Sequence, residues 1–344
     1  MDPTPLLRWY RRERRALPWR DDPTPYKVWL SEVMSQQTRI ETMRPYWEGF
    51  LARWPAVEDL AAADLEEVLH AWSGLGYYSR ARNLHAAAKV IAAEGFPSDR
   101  IAFQRLPGVG RYTAGAVASI AFGRDEWVVD GNVERVVCRV EDLAEDPRQA
   151  AARRRIEGIV EGWLPAGEAG DWNQALMELG ARVCTPKKPA CGRCPIAEEC
   201  KALEAGTVLS RPDKPRRTRQ PEVRSVAVVV RSERGVLMAR RPEDALLGGL
   251  WELPRGDDLE ALRARIGPVE LGRELGSVRH IFSHRKLTLQ VFEARLARPA
   301  PGGFYTELRW VEDPETLALS TLARKALRAG RGAPAPTRAS GRRR

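Results

Sequence analysis

The chain has 344 residues, of which 43% are hydrophobic, so it is long enough for two domains with buried cores. Lysine and arginine number 56 against 46 acidic residues, and the net charge of +10 favours a polyanionic partner such as nucleic acid. The sequence has no run of about eighteen apolar residues and no secretory leader, so we expect neither membrane insertion nor export but a cytoplasmic protein.

Residues 1–205 are predicted to form helix after helix. Stretches such as LEEVLHAWSGLGYYSRARNLHAAAKVIAAE repeat apolar residues at spacings of three and four, interrupted by Gly and Pro turns. Early in this part, SEVMSQQTR places the lone carboxyl group of Glu32 where we expect a helix to begin, next to the uncharged side chains of Gln36, Gln37 and Thr38.

Two further stretches predict helix N-termini with groups that can form polar contacts. LPGVGRYTAGAV puts Gly108 and Gly110 in a turn between helices, where backbone N–H groups can approach a DNA phosphate, although such turns also occur without any ligand. VVDGNVERVVCRV puts Asp130 and Asn132 at a helix N-terminus, where simple capping explains most aspartates. From these residues alone both alternatives stay open.

Four of the five cysteines are crowded into a C-x6-C-x2-C-x5-C pattern among lysines and arginines. An odd, clustered set favours metal ligands over disulfides. Four thiolates can hold either a [4Fe–4S] cluster or a zinc ion, and the spacing favours iron–sulfur only slightly. Cys138 is interpreted as a small buried hydrophobe. The four candidate ligands are Cys184, Cys191, Cys194 and Cys200.

The pattern changes after residue 205. Residues 206–221, GTVLSRPDKPRRTRQP, are rich in Pro and Arg and predict an exposed connector. Residues 222–326 contain β-branched and alternating runs such as RSVAVVV and HRKLTLQVFEARL, which predict a domain of α+β type. Residues 327–344 carry six arginines and no acid, and we expect a disordered basic tail.

In this order, the Glu32 stretch, LPGVGRYTAGAV, VDGN and the four cysteines resemble the helix-hairpin-helix DNA glycosylases with an iron–sulfur loop. The details are similar to the MutY-type adenine DNA glycosylases, over roughly residues 6–327. This resemblance implies a [4Fe–4S] cluster on the four cysteines and two helical subdomains with a base pocket between them. It also implies a nucleoid-associated monomer that excises adenine opposite 8-oxoguanine or guanine in double-stranded DNA.

The resemblance also implies the roles of the catalytic residues. Excision requires an extruded base, a proton for the leaving purine and stabilisation of an oxocarbenium-like sugar. Glu32 is then the acid that protonates adenine, and apolar and neutral neighbours help to keep it protonated. Asp130 remains ionised and faces the sugar, with Asn132 and Tyr112 positioning the groups. Since endonuclease III carries a nucleophilic lysine where this chain has Tyr112, we expect a monofunctional enzyme.

Further positions match the family residue by residue. An apolar residue is common in the family where this chain has Ser35, which departs from the pattern. The residues similar to the adenine pocket are Arg15, Leu17, Trp19 and Gln174. The residues similar to those that enter the base stack are Gln37 and Tyr77.

The C-terminal part resembles the NUDIX fold of MutT through LLGGLWELPRG. The segment after Pro254 lacks the glutamate cluster that would bind Mg²⁺, so we interpret the domain as a recognition module and not as a nucleotide hydrolase. Within HIFSHRK, Phe282, Ser283 and His284 match the family's loop that inspects 8-oxoguanine; a hairpin turn with a buried Phe is the simpler alternative. The competing functions are a thymine glycosylase for G·T mispairs and a non-catalytic iron–sulfur DNA-binding protein.

Overall fold

The computed structural model describes residues 1–213, 220–297, 299–300 and 302–331. The chain forms two compact units. The first comprises residues 1–62 and 83–217, and the second comprises residues 63–82 and 218–344. No helix in the described ranges is both long enough and apolar enough to cross a bilayer.

The described α-helices lie mostly in the first unit, which is all-helical as expected. The second unit contributes α6, α14 and α15, and α7 begins in it. The helices are α1 (Thr4–Glu13), α2 (Pro18–Asp21), α3 (Pro25–Ser35), α4 (Ile40–Arg53), α5 (Val57–Ala62), α6 (Leu65–Ala71), α7 (Ser79–Glu94), α8 (Arg100–Phe103), α9 (Arg111–Phe122), α10 (Gly131–Val140), α11 (Ala150–Gly162), α12 (Ala169–Arg182), α13 (Lys201–Glu204), α14 (Leu259–Ile266) and α15 (Thr321–Gly330).

Helix α3 begins seven residues before Glu32. The Thr24 side chain accepts a hydrogen bond from the Lys27 N–H, and Pro25 occupies the first turn, where its missing N–H costs nothing. The expectation that Glu32 marks a helix start was therefore wrong, because Thr-Pro supplies the start signal and Glu32 falls in the last turn. In that position it is buried among Trp29, Val33 and their neighbours rather than exposed at an end.

The core of the first unit is built around α12, which packs against α1, α9 and α10. Leu6, Val137, Trp172 and Leu176 are among its fully buried side chains. Gly180 allows the close approach of α10 and α12, since a Cβ there would lie 2.6 Å from the Cβ of Asn132. This approach places the start of α10 beside the pocket-facing side of α12.

The second unit contains a mixed β-sheet, in agreement with the predicted α+β class. The long strands run in the order β3-β2-β1-β6-β5, with β4 paired to β1 and β7 paired to β2. The β1–β6 pair is parallel, and the other strand pairs are antiparallel. The strands are β1 (Glu222–Ser232), β2 (Gly235–Arg240), β3 (Trp251–Glu252), β4 (Arg255–Gly256), β5 (Val269–Ile281), β6 (Lys286–Leu296) and β7 (Glu307–Val311).

The two helices after the connector cover separate clusters of sheet residues. Helix α15 contributes Leu322, Ala326 and Leu327 to a core with Val229 and Val291. Helix α14 contributes to a second cluster that includes Val228, Val230 and Leu237. Alternate residues of β1 therefore face the two clusters, as the two-residue period of a strand requires.

The structure moves two of the predicted domain boundaries. Leu327 was expected to begin a disordered tail, but residues 327–330 form the end of α15 because Leu327 is buried in the sheet core. Residues 332–344 of the predicted tail, and residues 214–219 of the predicted connector, lie outside the described residues. Residues 63–82 belong with the second unit although they precede most of the helical unit in sequence.

Candidate active site

A cleft of about 740 Å³ in the first unit brings together residues that are far apart in sequence. It collects nine of the predicted site residues from α2, α3, α9, α10, α12 and the loops beside them. It also contains Arg20, Met177 and Glu178, which the sequence analysis did not single out. The nine predicted residues that line it are Arg15, Leu17, Trp19, Glu32, Gln37, Tyr112, Asp130, Asn132 and Gln174.

Glu32 is the buried acid of this cleft. Its Oε2 has no hydrogen-bond partner among the described residues. Burial and the negative charge of Asp130 raise its pKa, the Tyr112 hydroxyl and the Arg20 charge oppose the rise, and the pKa that results is about 7. A carboxyl group with this pKa still holds its proton in a large fraction of molecules at neutral pH, which suits a general acid.

Asp130 differs from Glu32 because both of its carboxyl oxygens accept hydrogen bonds. It caps α10, and its Oδ1 accepts hydrogen bonds from the backbone N–H groups of Asn132 and Val133 at 2.9 and 2.7 Å. Its Oδ2 accepts a third bond from the Asn132 side-chain amide at 2.8 Å. The capping interpretation is therefore correct, and the same three donors leave a carboxylate lining the cleft. Two carboxyl groups with opposite environments can divide acid and charge-stabilising roles.

Tyr112 lies in the first turn of α9, and its half-buried side chain lines the cleft. Its hydroxyl lies 3.1 Å from the Met177 sulfur and beside the Glu32 carboxyl group. Burial, together with the nearby carboxyl groups, raises the pKa of the phenol well above its ordinary value. Tyr112 therefore stays neutral and can hold Glu32 by a hydrogen bond, but it offers no amine nucleophile.

Glu178 organises the wall of the cleft, and sequence reasoning missed it. Its carboxylate is fully buried and accepts two bonds from Arg15, at 2.8 and 2.9 Å, and one from Arg20 at 3.0 Å. Burial would raise its pKa, but the Arg15 hydrogen bonds and the Arg20 charge bring the pKa below its ordinary value. The available signal was an acid one helical turn after Gln174, on the same face of α12.

Arg20 extends this arrangement to Gln174. The Nε of Arg20 donates to the Gln174 Oε1 at 3.1 Å, and its Nη1 donates to the Arg15 carbonyl at 3.1 Å. The Gln174 amide nitrogen donates to the Gly170 carbonyl at 3.2 Å. Since both ends of the amide have partners, its orientation in the cleft is defined.

The glycine turn before α9 has the geometry that the sequence predicted. Gly108 has φ of +71°, and a Cβ there would lie 2.4 Å from the Cβ of Asn83. Gly110 caps α9 with ordinary extended φ and has open space around its Cα. Only Gly108 therefore requires glycine for its conformation, while both leave backbone N–H groups near the positive end of a helix.

The two residues expected to enter a base stack share a strained backbone. Among the described residues, four that are not glycine have positive φ, and they include Gln37 at 55° and Tyr77 at 49°. Such a conformation costs about 1–3 kcal/mol and is concentrated at functional sites. Gln37 lines the cleft of the first unit, and Tyr77, with 45% of its surface exposed, belongs to the second unit.

The predicted Phe-Ser-His loop follows β5 in the second unit. Phe282 is half-buried against the sheet core and lies 4.6 Å from the His280 ring, whereas Ser283 and His284 are exposed. The Gln220 side chain donates to the carbonyls of Phe282 and Ser283 at 3.2 and 2.8 Å. The structure thus combines the hairpin turn with a packed Phe and two accessible polar side chains.

The four clustered cysteines line a single cavity. All are free thiols, and the buried Arg139 side chain donates to the Cys184 sulfur at 3.2 Å and to the carbonyls of Thr185 and Pro186. Four thiolates around one cavity, with a cation bonded to one sulfur, fit a [4Fe–4S] cluster. Cys138 is fully buried in α10, away from this set, as expected.

A chain of hydrogen bonds joins the cysteine loop to Asp130. The Arg135 guanidinium donates to the Cys184 carbonyl at 2.7 Å, to the Gly180 carbonyl at 2.7 Å and to the Asn132 Oδ1 at 2.9 Å. Asn132 in turn donates to Asp130. The cluster loop therefore helps to fix the carboxylate of the cleft through one buried arginine.

Comparisons with known proteins agree with this geometry. The model of the HhH-GPD superfamily of base excision DNA repair proteins matches residues 30–161, the iron–sulfur binding domain of endonuclease III matches residues 184–200, and a NUDIX domain matches residues 225–329. These matches confirm the two-part fold and the [4Fe–4S] cofactor, and the matched iron–sulfur segment contains Cys184, Cys191, Cys194 and Cys200.

Two relatives are similar over almost the whole chain. The adenine DNA glycosylase of Homo sapiens is 38% identical over 95% of this chain and 73% of its own length, and that of Mus musculus is 38% identical over 94% and 76%. Among solved structures, a thermostable thymine-DNA glycosylase is 28% identical with a TM-score of 0.54, covering 59% of this chain and 95% of that protein.

The two turn glycines give a matched pair of variants. Gly108→Ala should lower the free energy of unfolding by about 2 kcal/mol or more, because the left-handed backbone and the Asn83 contact both oppose a Cβ. Gly110→Ala should cost less than about 1 kcal/mol, the loss of a glycine cap. Urea unfolding of both variants measures the difference, and an equal cost would contradict the geometry of the turn.

Glu32→Gln should make the protein more stable at pH 8. The folded protein holds the Glu32 proton up to about pH 7, whereas an unfolded chain loses it near pH 4.5, so this group lowers stability as pH rises between the two values. The amide avoids that loss, and the gain at pH 8 should approach about 3 kcal/mol and vanish near pH 4.5.

Glu178→Gln is the matched control for that measurement. Its carboxylate is stabilised by Arg15 and Arg20, so the substitution should destabilise the protein at pH 8 by about 3 kcal/mol. Denaturant unfolding of both variants at pH 5 and pH 8 separates the two signs. A Glu32→Gln variant that gains no stability between these pH values would disprove the raised pKa.

Proposed function

Because the chain belongs to the adenine DNA glycosylase family of base-excision repair enzymes, we propose that its substrate is adenine paired with 8-oxoguanine, or with guanine, in double-stranded DNA. The observation that carries this proposal is the pairing of a buried Glu32 of raised pKa with a capped Asp130 in one cleft. The cleft is open to solvent and large enough for a purine that has been turned out of the duplex.

Glu32 acts as the general acid on the extruded adenine. A purine leaves more easily after a proton reaches a ring nitrogen, for which N7 is the position expected. The proton is available because burial keeps the pKa of Glu32 near 7. Tyr112, next to the carboxyl group, orients it and remains neutral.

Asp130 acts on the sugar. The bond to the leaving base breaks through an oxocarbenium-like sugar, and a carboxylate that faces it lowers the energy of the developing positive charge. Three N–H donors fix the position of the Asp130 oxygens. Since Asn132 supplies two of these donors, it is a positioning residue.

The adenine pocket is formed by Arg15, Leu17, Trp19 and Gln174. Leu17 and Trp19 supply apolar surface, and the Trp19 ring packs edge-on against the Trp47 ring, with centroids 5.4 Å apart. Arg20 and Glu178 hold the polar members in place. The Gln174 amide is thereby set to hydrogen-bond a base edge.

Recognition of the base opposite adenine involves Gln37, Tyr77 and the loop with Phe282, Ser283 and His284. The strained backbones of Gln37 and Tyr77 support roles in filling the space that the flipped base leaves. The exposed Ser283 and His284 side chains provide polar groups for an oxidised guanine. The [4Fe–4S] cluster shapes the loop of its four cysteines, which carries cations for the DNA backbone.

A single protein molecule meets one damaged base pair in each event, so we propose that a monomer acts, in the cytoplasm and on the nucleoid. The thymine glycosylase alternative is less well supported, because that likeness covers 59% of this chain and the adenine glycosylase relatives cover about 95%.

Single-turnover excision assays test the proposal. Adenine should be released fastest from the duplex with A opposite 8-oxoguanine and more slowly from the duplex with A opposite G, and release of thymine from the duplex with T opposite G should be negligible. Glu32→Gln should bind the first duplex like the unaltered protein but excise at least about a hundredfold more slowly, because the amide cannot deliver a proton. Faster release of thymine than adenine would reject the proposed substrate.

Borohydride trapping tests the role of Tyr112. Without an amine at this position, the protein should give little or no covalent adduct with DNA under conditions in which adenine is released completely. Tyr112→Lys supplies an amine at the same place and is the positive control. High-yield trapping of the unaltered protein would contradict a monofunctional enzyme.

A further inference from the structure

The position of Tyr77 is controlled by residues at the far end of the chain. We propose that Ser73, Tyr78 and Arg324 are positioning residues that hold the Tyr77 loop on the sheet of the second unit, and that they set the preference for 8-oxoguanine. This inference rests on the proposed function, in which Tyr77 enters the base stack. The contacts that carry it lie within the second unit.

The loop that presents Tyr77 is tightly folded. Gly74, Gly76 and Tyr77 all have positive φ, at 112°, 75° and 49°. The Trp72 indole donates to the Gly76 carbonyl at 3.0 Å, and the Arg80 guanidinium donates to the same carbonyl at 3.2 Å. Arg80 also lies over the Trp72 and Tyr77 rings, 5.2 and 5.5 Å from their centroids.

This conformation is strained, because a tyrosine at positive φ costs about 1–3 kcal/mol and persists only where surrounding contacts impose it. The bonds within the loop supply part of that support. The rest comes from residues 315–324, more than two hundred positions away in sequence.

The Leu319 carbonyl is the anchor. It accepts hydrogen bonds from both the Ser73 hydroxyl and the Tyr78 hydroxyl, the latter at 3.0 Å. The Tyr78 hydroxyl in turn accepts from the Gly74 N–H at 3.1 Å. One buried phenol therefore joins the turn before Tyr77 to the C-terminal segment.

Arg324, in the first turn of α15, strengthens the same point. Its Nη2 donates to the Ser73 hydroxyl at 3.1 Å, and its Nη1 pairs with Glu315 at 2.7 Å. The Ser73 oxygen thus accepts from Arg324 while it donates to Leu319. A charged donor at this position holds the hydroxyl in one orientation.

The anchor itself belongs to the sheet. Trp251 of β3 donates its backbone N–H to the Ala318 carbonyl at 3.0 Å and forms a parallel bridge with Leu319. The Trp251 indole donates to Glu66 of α6 at 2.9 Å. Helix α6, the Tyr77 loop and the sheet are therefore held as one body that also carries the Phe282 loop.

It follows that Tyr77 and the Phe282 loop keep a fixed relation to each other. If both loops are already ordered when they contact 8-oxoguanine, binding costs no conformational entropy for ordering them. The contacts that distinguish 8-oxoguanine from guanine then contribute fully to affinity. When the Tyr78 hydroxyl is removed, Tyr77 should lose its defined position while the chemistry in the cleft is unaffected.

Tyr78→Phe tests the inference, and Tyr26→Phe is the matched control. Tyr26 is also a buried tyrosine that donates to a backbone carbonyl, that of Trp54 at 3.1 Å, but it lies in the first unit. Single-turnover rates are measured on duplexes with A opposite 8-oxoguanine and A opposite G, with the enzyme in excess over the DNA but below saturation. Tyr78→Phe should reduce the ratio of the two rates about fivefold or more, and Tyr26→Phe should leave it within twofold.

A double-mutant cycle with Tyr77→Ala separates positioning from general stability. In the Tyr77→Ala background, Tyr78→Phe should change the ratio no further, because its effect passes through the Tyr77 side chain. Ser73→Ala removes the second donor to Leu319 and should act in the same direction, which keeps the test usable if Tyr78→Phe folds poorly.

The outcomes distinguish the two proposals. An unaltered protein that releases adenine from neither duplex would overturn the proposed function. Equal rates of release from both duplexes by the unaltered protein would overturn the positioning role. A preference that is retained in both Tyr78→Phe and Ser73→Ala would overturn the positioning role alone. Equal losses in the presence and absence of the Tyr77 side chain would also overturn it, since they would indicate a general structural effect.

Discussion

The chemistry depends on two carboxyl groups that one cleft keeps in different states. Glu32 is buried where ionisation is costly, and Asp130 is capped by three N–H donors that favour a charged acceptor. The negative charge of Asp130 also helps to keep the proton on Glu32. Neither state would survive alone, because an exposed Glu32 would ionise and an uncapped Asp130 would be free to turn away from the cleft.

Most of the first unit serves to hold this pair. Gly180 lets α10 approach α12, and Arg135 fixes Asn132 and thereby Asp130 against the cysteine loop. On the other side, a second buried carboxylate, Glu178, binds two arginines that line the base pocket. Asp130 and Glu178 thus use the same interaction, hydrogen bonds from fixed donors, for different ends.

The sequence predicted what local signals determine. VDGN predicted the cap at Asp130 because capping involves residues only two or three positions apart, and the glycine turn was predicted because positive φ favours glycine. The start of α3 was mispredicted because its signal, Thr24 followed by Pro25, lies well before Glu32 in the sequence. Glu178 was missed because an acid on a helix is usually exposed, and its arginine partners lie more than 150 positions away.

The membership of residues 63–82 could not be predicted either. Helical periodicity shows that α6 has an apolar face, but it does not say which part of the chain covers that face. Residues 63–82 contact β3, Gly248, Gly249 and the segment around Leu319, all in the second unit. Such pairing between distant segments is a property of the tertiary structure and has no local signal.

The Ser73–Leu319 contact spans 246 residues, and this long span has a consequence for how the molecule is made. During synthesis on the ribosome, α6 and the Tyr77 loop are made early. Their partner segment around Leu319 is made only after most of the remaining chain. The first unit, which ends at residue 217, can fold before that partner segment has been made. A message truncated before residue 319 would therefore yield a polypeptide that has Glu32 and Asp130 but lacks the segment to which the Tyr77 loop is hydrogen-bonded.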